Sequence, residues 1–346
     1  MPRLIKDKYE EYKASCNEMF YKLKANEEEL NRIFIDIYGL QDELTPDIAE
    51  KDVTVHFVAD TKEEAPEGLK NSNYLLTKKD VIKQFISYAV GCMLGRYSLD
   101  KDGLIIAGNI PRDLLTKHRG LYYLTETIKN CQNEYELTAN HFGIDSDNCL
   151  PITDEEYFED DIVGRYVEFV RVVYGKETLE ENLKFIADAL GNKGNTSREI
   201  IRNYFLNDFI NDHNKTYQKR PIYWLFDSGK QNGFKALCYM HRWNADTTGN
   251  MRVEYLHKMQ RVYENEIDRM QEVIDNSHDN KEISTATKRK EKLQKQLKET
   301  KDYDAKVAHL ALSRIAIDLD DGVKVNYEKV QTAPDGSKVE ILAKIK

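Results

Sequence analysis

No run of residues in this chain is long and apolar enough to cross a bilayer. The longest, Phe85 to Leu94, has ten residues and contains Ser87, Tyr88 and Gly91. The opening MPRLIKDKYEEYK turns charged at once and lacks the apolar stretch of a signal peptide. The five cysteines (Cys16, Cys92, Cys131, Cys149 and Cys238) are odd in number, scattered and without a CxxC. That spacing argues against a disulfide framework and a zinc site, and predicts a reducing cytoplasm. None of the 17 glycines stands two residues from another, so no GxG exists. Dinucleotide loops, kinase loops and the glycine loop that usually cradles S-adenosylmethionine all need that close backbone approach. The prolines never adjoin, which excludes the (Asn/Asp)-Pro-Pro-(Tyr/Phe) motif that holds a flipped adenine. Gly175-Lys176 and Gly229-Lys230 lack the rest of a P-loop, there is no HExxH, and the eight histidines are dispersed.

What remains is a charged, globular composition. The 346 residues are 40% hydrophobic and 32% charged, enough to bury a sizeable core and to fill two or three domains. The net charge of −9 hides an asymmetry: residues 1–190 carry 23 Lys+Arg against 37 Asp+Glu, whereas residues 191–317 carry 23 against 17. A polyanion is repelled by the first part and attracted to the second, so an acidic whole does not exclude nucleic acid.

From Tyr9 to Leu40 an apolar stripe recurs at steps of three and four (Tyr9, Tyr12, Cys16, Met19, Leu23, Asn26, Leu30, Ile33, Ile37, Leu40). It predicts one long helix, either in a coiled coil or as a brace on a domain, stopping at Gly39. Residues 41–76 read as loop around a strand candidate, Val53–Val58. Residues 78–94 read as a buried helix, and 99–150 as a peripheral insertion. Thr153 with the acids behind it reads as a helix start whose carboxylates serve the helix dipole and solvation. Two helices follow, over 162–174 and 179–190, then one running from Thr196 or Ser197 to about 217. PIYWLF, DSGKQNG and FKALCYM form a β-hairpin, while 251–274 and 282–317 form an antiparallel helical hairpin. The tail around Pro334-Asp335-Gly336 alternates like a second β-hairpin. The expected fold is therefore α+β and predominantly helical, with long bracing helices and an antiparallel helical hairpin around a small module with β-hairpins. Its expected divisions are 1–100, 101–150, 151–250, 251–317 and 318–346.

Chemistry concentrates in two places. Residues 215–243 hold Lys215, Lys219, Arg220, Lys230, Lys235 and Arg242 against the single acid Asp227, interleaved with seven aromatic residues. Such cations neutralise phosphates, and a two-stranded ribbon fits a major groove. Trp224, Phe226 and Phe234 are expected in the core; Lys219, Arg220, Lys230 and Lys235 are expected in solvent, on phosphate. Residues 281–301 carry eight cations and three acids, with Lys288, Arg289, Lys292 and Lys295 extending the same surface. A third match, Pro46-Asp47 followed by Asp60-Thr61-Lys62, has the spacing of a PD-(D/E)xK nuclease, in which Asp47 and Asp60 hold Mg²⁺ and Lys62 polarises the phosphate. Acid-rich loops produce that pattern freely, and a plain loop is the preferred reading.

KRPIYWLFDSGKQNGFKALCYMHRWNADTTG (219–249) resembles the C-terminal part of the PglX-type adenine-specific DNA methyltransferases of BREX phage-defence systems. More broadly it is similar to the target-recognition regions of single-chain restriction-modification enzymes. EEELNRIFIDIYGLQDELTPD (28–47), FISYAVGCMLGRYSLD (85–100), PITDEEYFEDDIVGRYVEF (151–169), ETLEENLKFIADALGNKGNTSREIIRNYF (177–205) and DLDDGVKVNYEKV (318–330) extend the resemblance in order along the chain. It implies sequence-specific recognition of double-stranded DNA beside an N-terminal methyltransferase domain, with S-adenosylmethionine bound there and no cofactor in this chain. The methyl-transfer motifs are absent, so no catalytic or cofactor residue is carried over. The DNA-contact candidates are Lys219, Arg220, Lys230, Lys235, Arg242, Lys288, Arg289, Lys292 and Lys295. The alternatives are a scaffold that docks other defence subunits and a Mg²⁺-dependent nuclease.

Overall fold

A computed structural model describes residues 4–345. In chain order its helices are α1 (Ile5–Tyr38), α2 (Lys78–Met93), α3 (Thr125–Asn130), α4 (Glu134–Asn140), α5 (Ile162–Tyr174), α6 (Leu179–Leu190), α7 (Ser197–Asn207), α8 (Phe209–Thr216), α9 (Thr247–Asn250), α10 (His257–Asn276), α11 (Asn280–Ser313) and α12 (Val323–Lys329). Its strands are β1 (Phe57–Ala59), β2 (Leu75–Thr77), β3 (Leu115–His118), β4 (Leu121–Leu124), β5 (Ile144–Asp145), β6 (Leu150–Pro151), β7 (Tyr223–Asp227) and β8 (Lys235–Tyr239). The fold is a predominantly helical α+β one, as the periodicities implied. Two compact units divide it, one of residues 4–87 with 173–191 and one of residues 88–172 with 192–345.

The smaller unit is organised by α1. No proline or glycine interrupts residues 5–38, and Gly39 ends the helix in the left-handed conformation (φ 66°), its N–H on the Asp36 carbonyl. Asn182 of α6 accepts the Ile5 N–H at the other end (2.8 Å). Asn17 brackets Val58 through both its amide atoms (2.8 and 3.0 Å), which holds β1 against the helix. The expected strand at Val53–Val58 is shorter and shifted, and pairs in parallel with β2. Phe20, Val53, Phe57 and Leu69 form the core there. Most of the heptad stripe from Met19 onward is not covered: Met19 is 63% exposed and Ile37 68%, with Leu30 and Ile33 also in solvent.

Asp60 sits at the end of β1. Its oxygens take hydrogen bonds from Tyr9 (2.7 Å), Lys13 (2.8 Å) and Lys78 (2.8 Å). Burial alone would raise its pKa, but these three donors outweigh it and hold the carboxyl well below its usual range. Two ammonium groups already balance this charge, which removes the carboxylate that the nuclease reading needs for Mg²⁺. Asp47 and Lys62 lie exposed on loops. Among the described residues no group of three or more His, Cys, Asp or Glu is placed to hold a metal ion, and no helix could cross a membrane.

The larger unit holds two three-stranded sheets, ordered β3-β4-β5 and β6-β8-β7. The expected hairpin forms with Tyr223 opposite Tyr239 and Asp227 opposite Lys235. It is not a free ribbon. Strand β6 adds antiparallel along β8, and Leu342 of the tail bridges to Phe226 on the other edge. The three-residue link after α10 returns the chain as α11, giving the expected helical hairpin. Trp224, Phe226, Phe234, Tyr263, Leu293 and Val307 share one core, where the aromatic residues of the hairpin were expected.

Two local expectations are corrected. No helix starts at Thr153: residues 154–161 are turns and bends, and the next helix is the expected one at Ile162–Tyr174, which Asp161 caps by accepting from Val163 N–H (3.0 Å). Residues 323–329 form α12 rather than a strand: Val323, Tyr327 and Val330 are spaced by four and three, and pack on the core from one helical face.

Candidate nucleic-acid interface

The structure separates the nine candidate cations into three sets. Lys235 and Arg242 are corrections: both are buried, at 8% and 6% exposure. The Lys235 ammonium donates to the Leu206 carbonyl (3.0 Å), and Arg242 donates to the carbonyl of Leu94 (3.2 Å). They satisfy orphan carbonyls inside the unit and cannot reach a phosphate. All five residues of β8 are buried, so side chains on both of its faces are packed, and Arg242 sits in the short helical turn that follows it, also buried.

Arg289 and Lys292 form the second set. Arg289 meets Glu155 (2.7 Å) and Tyr157, and Lys292 pairs with Asp154. These cations are spent largely on the acidic segment 154–160, which was expected to serve a helix terminus.

The third set is free in solvent: Lys219, Arg220, Lys230, Lys288 and Lys295 are exposed. It is divided in space. Lys219 and Arg220 precede β7, whereas Lys230 follows it at the hairpin tip. A five-residue strand spans about 17 Å, so the two groups stand at opposite ends of β7. At the tip, Glu299 of α11 accepts from Ser228 Oγ (2.8 Å), Gln231 N–H (2.8 Å) and Gly233 N–H (3.0 Å). A Cβ at Gly233 would stand 2.8 Å from the Gln296 carbonyl, so the close approach of tip and helix requires glycine. Glu299→Ala is therefore expected to cost about 2–3 kcal/mol in urea unfolding, because it strands two backbone donors and a hydroxyl. Amide exchange at Gln231 and Gly233 should speed up at least tenfold, and unchanged exchange would refute the anchoring role.

At the other end a cavity of about 520 Å³ is lined by Lys219, Lys324, Lys338, Lys344, Tyr327 and Leu342, with Glu328 and Glu340. Lys338 pairs with Glu328 (3.1 Å) and Lys344 with Glu340 (3.0 Å), which leaves Lys219 and Lys324 as excess charge. The tail lysines were missed in the sequence because they are spaced widely through a segment that read as an ordinary hairpin. Gln218 and Lys219 are both left-handed (φ 49° and 62°), a conformation that costs a non-glycine residue about 1–2 kcal/mol.

The fold is predominantly helical α+β, and exposed cations lie at both ends of β7. No protein-family model matches the chain. It is 40% identical over 327 residues to the adenine-specific methyltransferase PglX of Lacticaseibacillus casei (strain Zhang), an alignment covering 93% of this chain and 24% of that protein. It is 37% identical over 328 residues to the adenine-specific methyltransferase BrxX of Escherichia coli O9:H4 (strain HS), covering 92% and 26%. The chain thus corresponds to a segment of PglX- and BrxX-type adenine-specific methyltransferases, and spans about a quarter of the length of these curated relatives.

Proposed function

We propose that this chain is the DNA-recognition portion of an adenine-specific DNA methyltransferase in a phage-defence system. It grips double-stranded DNA while a separate catalytic domain, carrying S-adenosylmethionine, flips and methylates one adenine. The observation that carries this reading is the similarity along 93% of the chain, in a sequence without the GxG loop that usually cradles the methyl donor. The part then contributes something other than methyl transfer, and the exposed cations supply the means. The methyltransferase domain and other subunits of the defence system are its further partners, and the cytoplasm its location.

A salt titration tests it. Binding of the full chain to a labelled duplex should weaken linearly on a log–log plot against salt, with a slope near −0.9 per phosphate neutralised. Lys219→Gln with Arg220→Gln should flatten that slope by about 1–2, and Lys235→Gln, which breaks a buried contact, should lower stability instead. Salt-independent binding, or none, would sink the reading.

The scaffold alternative draws on one observation, the uncovered stripe of α1 from Met19 to Ile37. It is favoured if Leu30→Glu with Ile37→Glu abolishes association with other defence subunits and leaves DNA affinity alone.

A further inference from the structure

Arg96 follows α2 in the larger unit and is half-buried. Its Nε–H donates to the Tyr97 hydroxyl (3.0 Å), and its guanidinium carbon lies 5.4 Å from the centre of that ring. Tyr217 and Tyr239 are the other groups that act most strongly on its charge, and all three are phenols. No carboxylate among the described residues forms an ion pair with it. A guanidinium with no carboxylate partner keeps donors for an anion.

A second unmatched donor lies in the same place. His213 of α8 is buried and accepts at Nε2 from the N–H groups of Ile222 (3.2 Å) and Tyr223 (3.1 Å). The ring proton is then on Nδ1, which has no partner. The imidazole lies against Tyr217 (4.5 Å) and Tyr223 (4.6 Å), and His241 also leaves Nδ1 unpartnered. Burial, and then the charge of Arg96, push the His213 pKa down to about 3, so the ring is neutral and adds no competing cation. No acid occurs between Asp212 and Asp227, and Lys215, Lys219 and Arg220 of that stretch are exposed. Arg96 thus places a guanidinium without an ion-pair partner close to a buried imidazole N–H without an acceptor.

We propose that Arg96, flanked by Tyr97 and Tyr217, binds a phosphate group of nucleic acid. The guanidinium fork matches two phosphate oxygens, the tyrosine hydroxyls add donors, and the rings offer faces to a neighbouring base or sugar. The source of the phosphate rests on the DNA-recognition reading, whereas the anion site itself does not.

The test measures binding of a labelled 20-base-pair duplex, ³¹P line broadening of inorganic pyrophosphate, and the melting temperature for the wild-type chain, Arg96→Met and Arg96→Lys. Arg96→Met should weaken the duplex at least tenfold and reduce the salt slope by about one, with at most a small change in melting temperature. Arg96→Lys should be intermediate, because an ammonium cannot make the two-pronged contact. Wild-type affinity in Arg96→Met would overturn the site and leave the DNA reading standing. Pyrophosphate broadening that disappears in Arg96→Met, without any duplex binding, would support the site and sink the DNA reading. Binding of neither probe by the wild-type chain would overturn both. Should Arg96→Met fail to fold, Arg96→Lys decides: a loss of affinity at constant melting temperature supports the site, and full affinity refutes it.

Discussion

Arg202→Met is expected to destabilise the larger unit by about 3–5 kcal/mol. Arg202 of α7 meets Asp161 through two parallel bonds (2.7 and 2.8 Å) and also donates to the Thr153 carbonyl (3.0 Å). Asp161 is fully buried, caps α5 and accepts from Thr153 Oγ1 (3.2 Å). One guanidinium therefore joins two helices and pins the acidic segment between them. Removing it leaves a carboxylate in a dry site with only neutral donors. Asp161→Ala should cost as much or more, because the cap goes with the charge. The double variant should cost far less than the sum, since neither charge is left alone. Urea unfolding of the four chains decides; additive single effects would show that the pair does not act as a unit.

Asp145→Asn is expected to stabilise the chain by about 1–3 kcal/mol at pH 8 and to change little near pH 4. Burial, then the neighbouring charge of Asp147, pushes the Asp145 carboxyl up to about 7, and buried Arg242 offsets this only in part. The native state thus keeps a proton that the unfolded chain releases near its ordinary value of 3.8. Where the native state binds more protons, stability falls as pH rises, here between about 4 and 7, and then levels off. Asparagine keeps the acceptor for the Asn148 N–H (2.6 Å) and supplies a neutral donor in place of the protonated oxygen. Its melting temperature should lose that decline between pH 4 and 7. A wild-type pH profile in the variant would show that Asp145 ionises freely.

The long elements were legible in the sequence because their signals are local. Residues 5–38 contain no helix breaker, the 251–276 and 280–313 segments repeat at three and four, and PIYWLF and FKALCYM flank a turn-rich septet. The aromatic residues of the hairpin were legible as core because nothing in an exposed ribbon covers Trp224, Phe226 and Phe234 at once. Shorter elements failed where two periods fit the same residues. Val323, Tyr327 and Val330 alternate with polar neighbours but also share one helical face, and packing on the core selected the helix.

The candidate site was the least legible. Lys235 is the one charged residue of β8 and stands at its start, beside the turn, yet its ammonium ends on a carbonyl of α7. Arg96 gave no signal beyond its tyrosine neighbour, because its defining property is the absence of a carboxylate from distant parts of the chain. Composition and periodicity alone determined that this is a charged, mostly helical chain without the loops of common cofactor folds. Its similarity to a segment of adenine-specific methyltransferases lies equally in the sequence. Only the tertiary structure decided which cations are spent on carbonyls and carboxylates and which remain free, since charge balance depends on through-space neighbours that residue order does not specify.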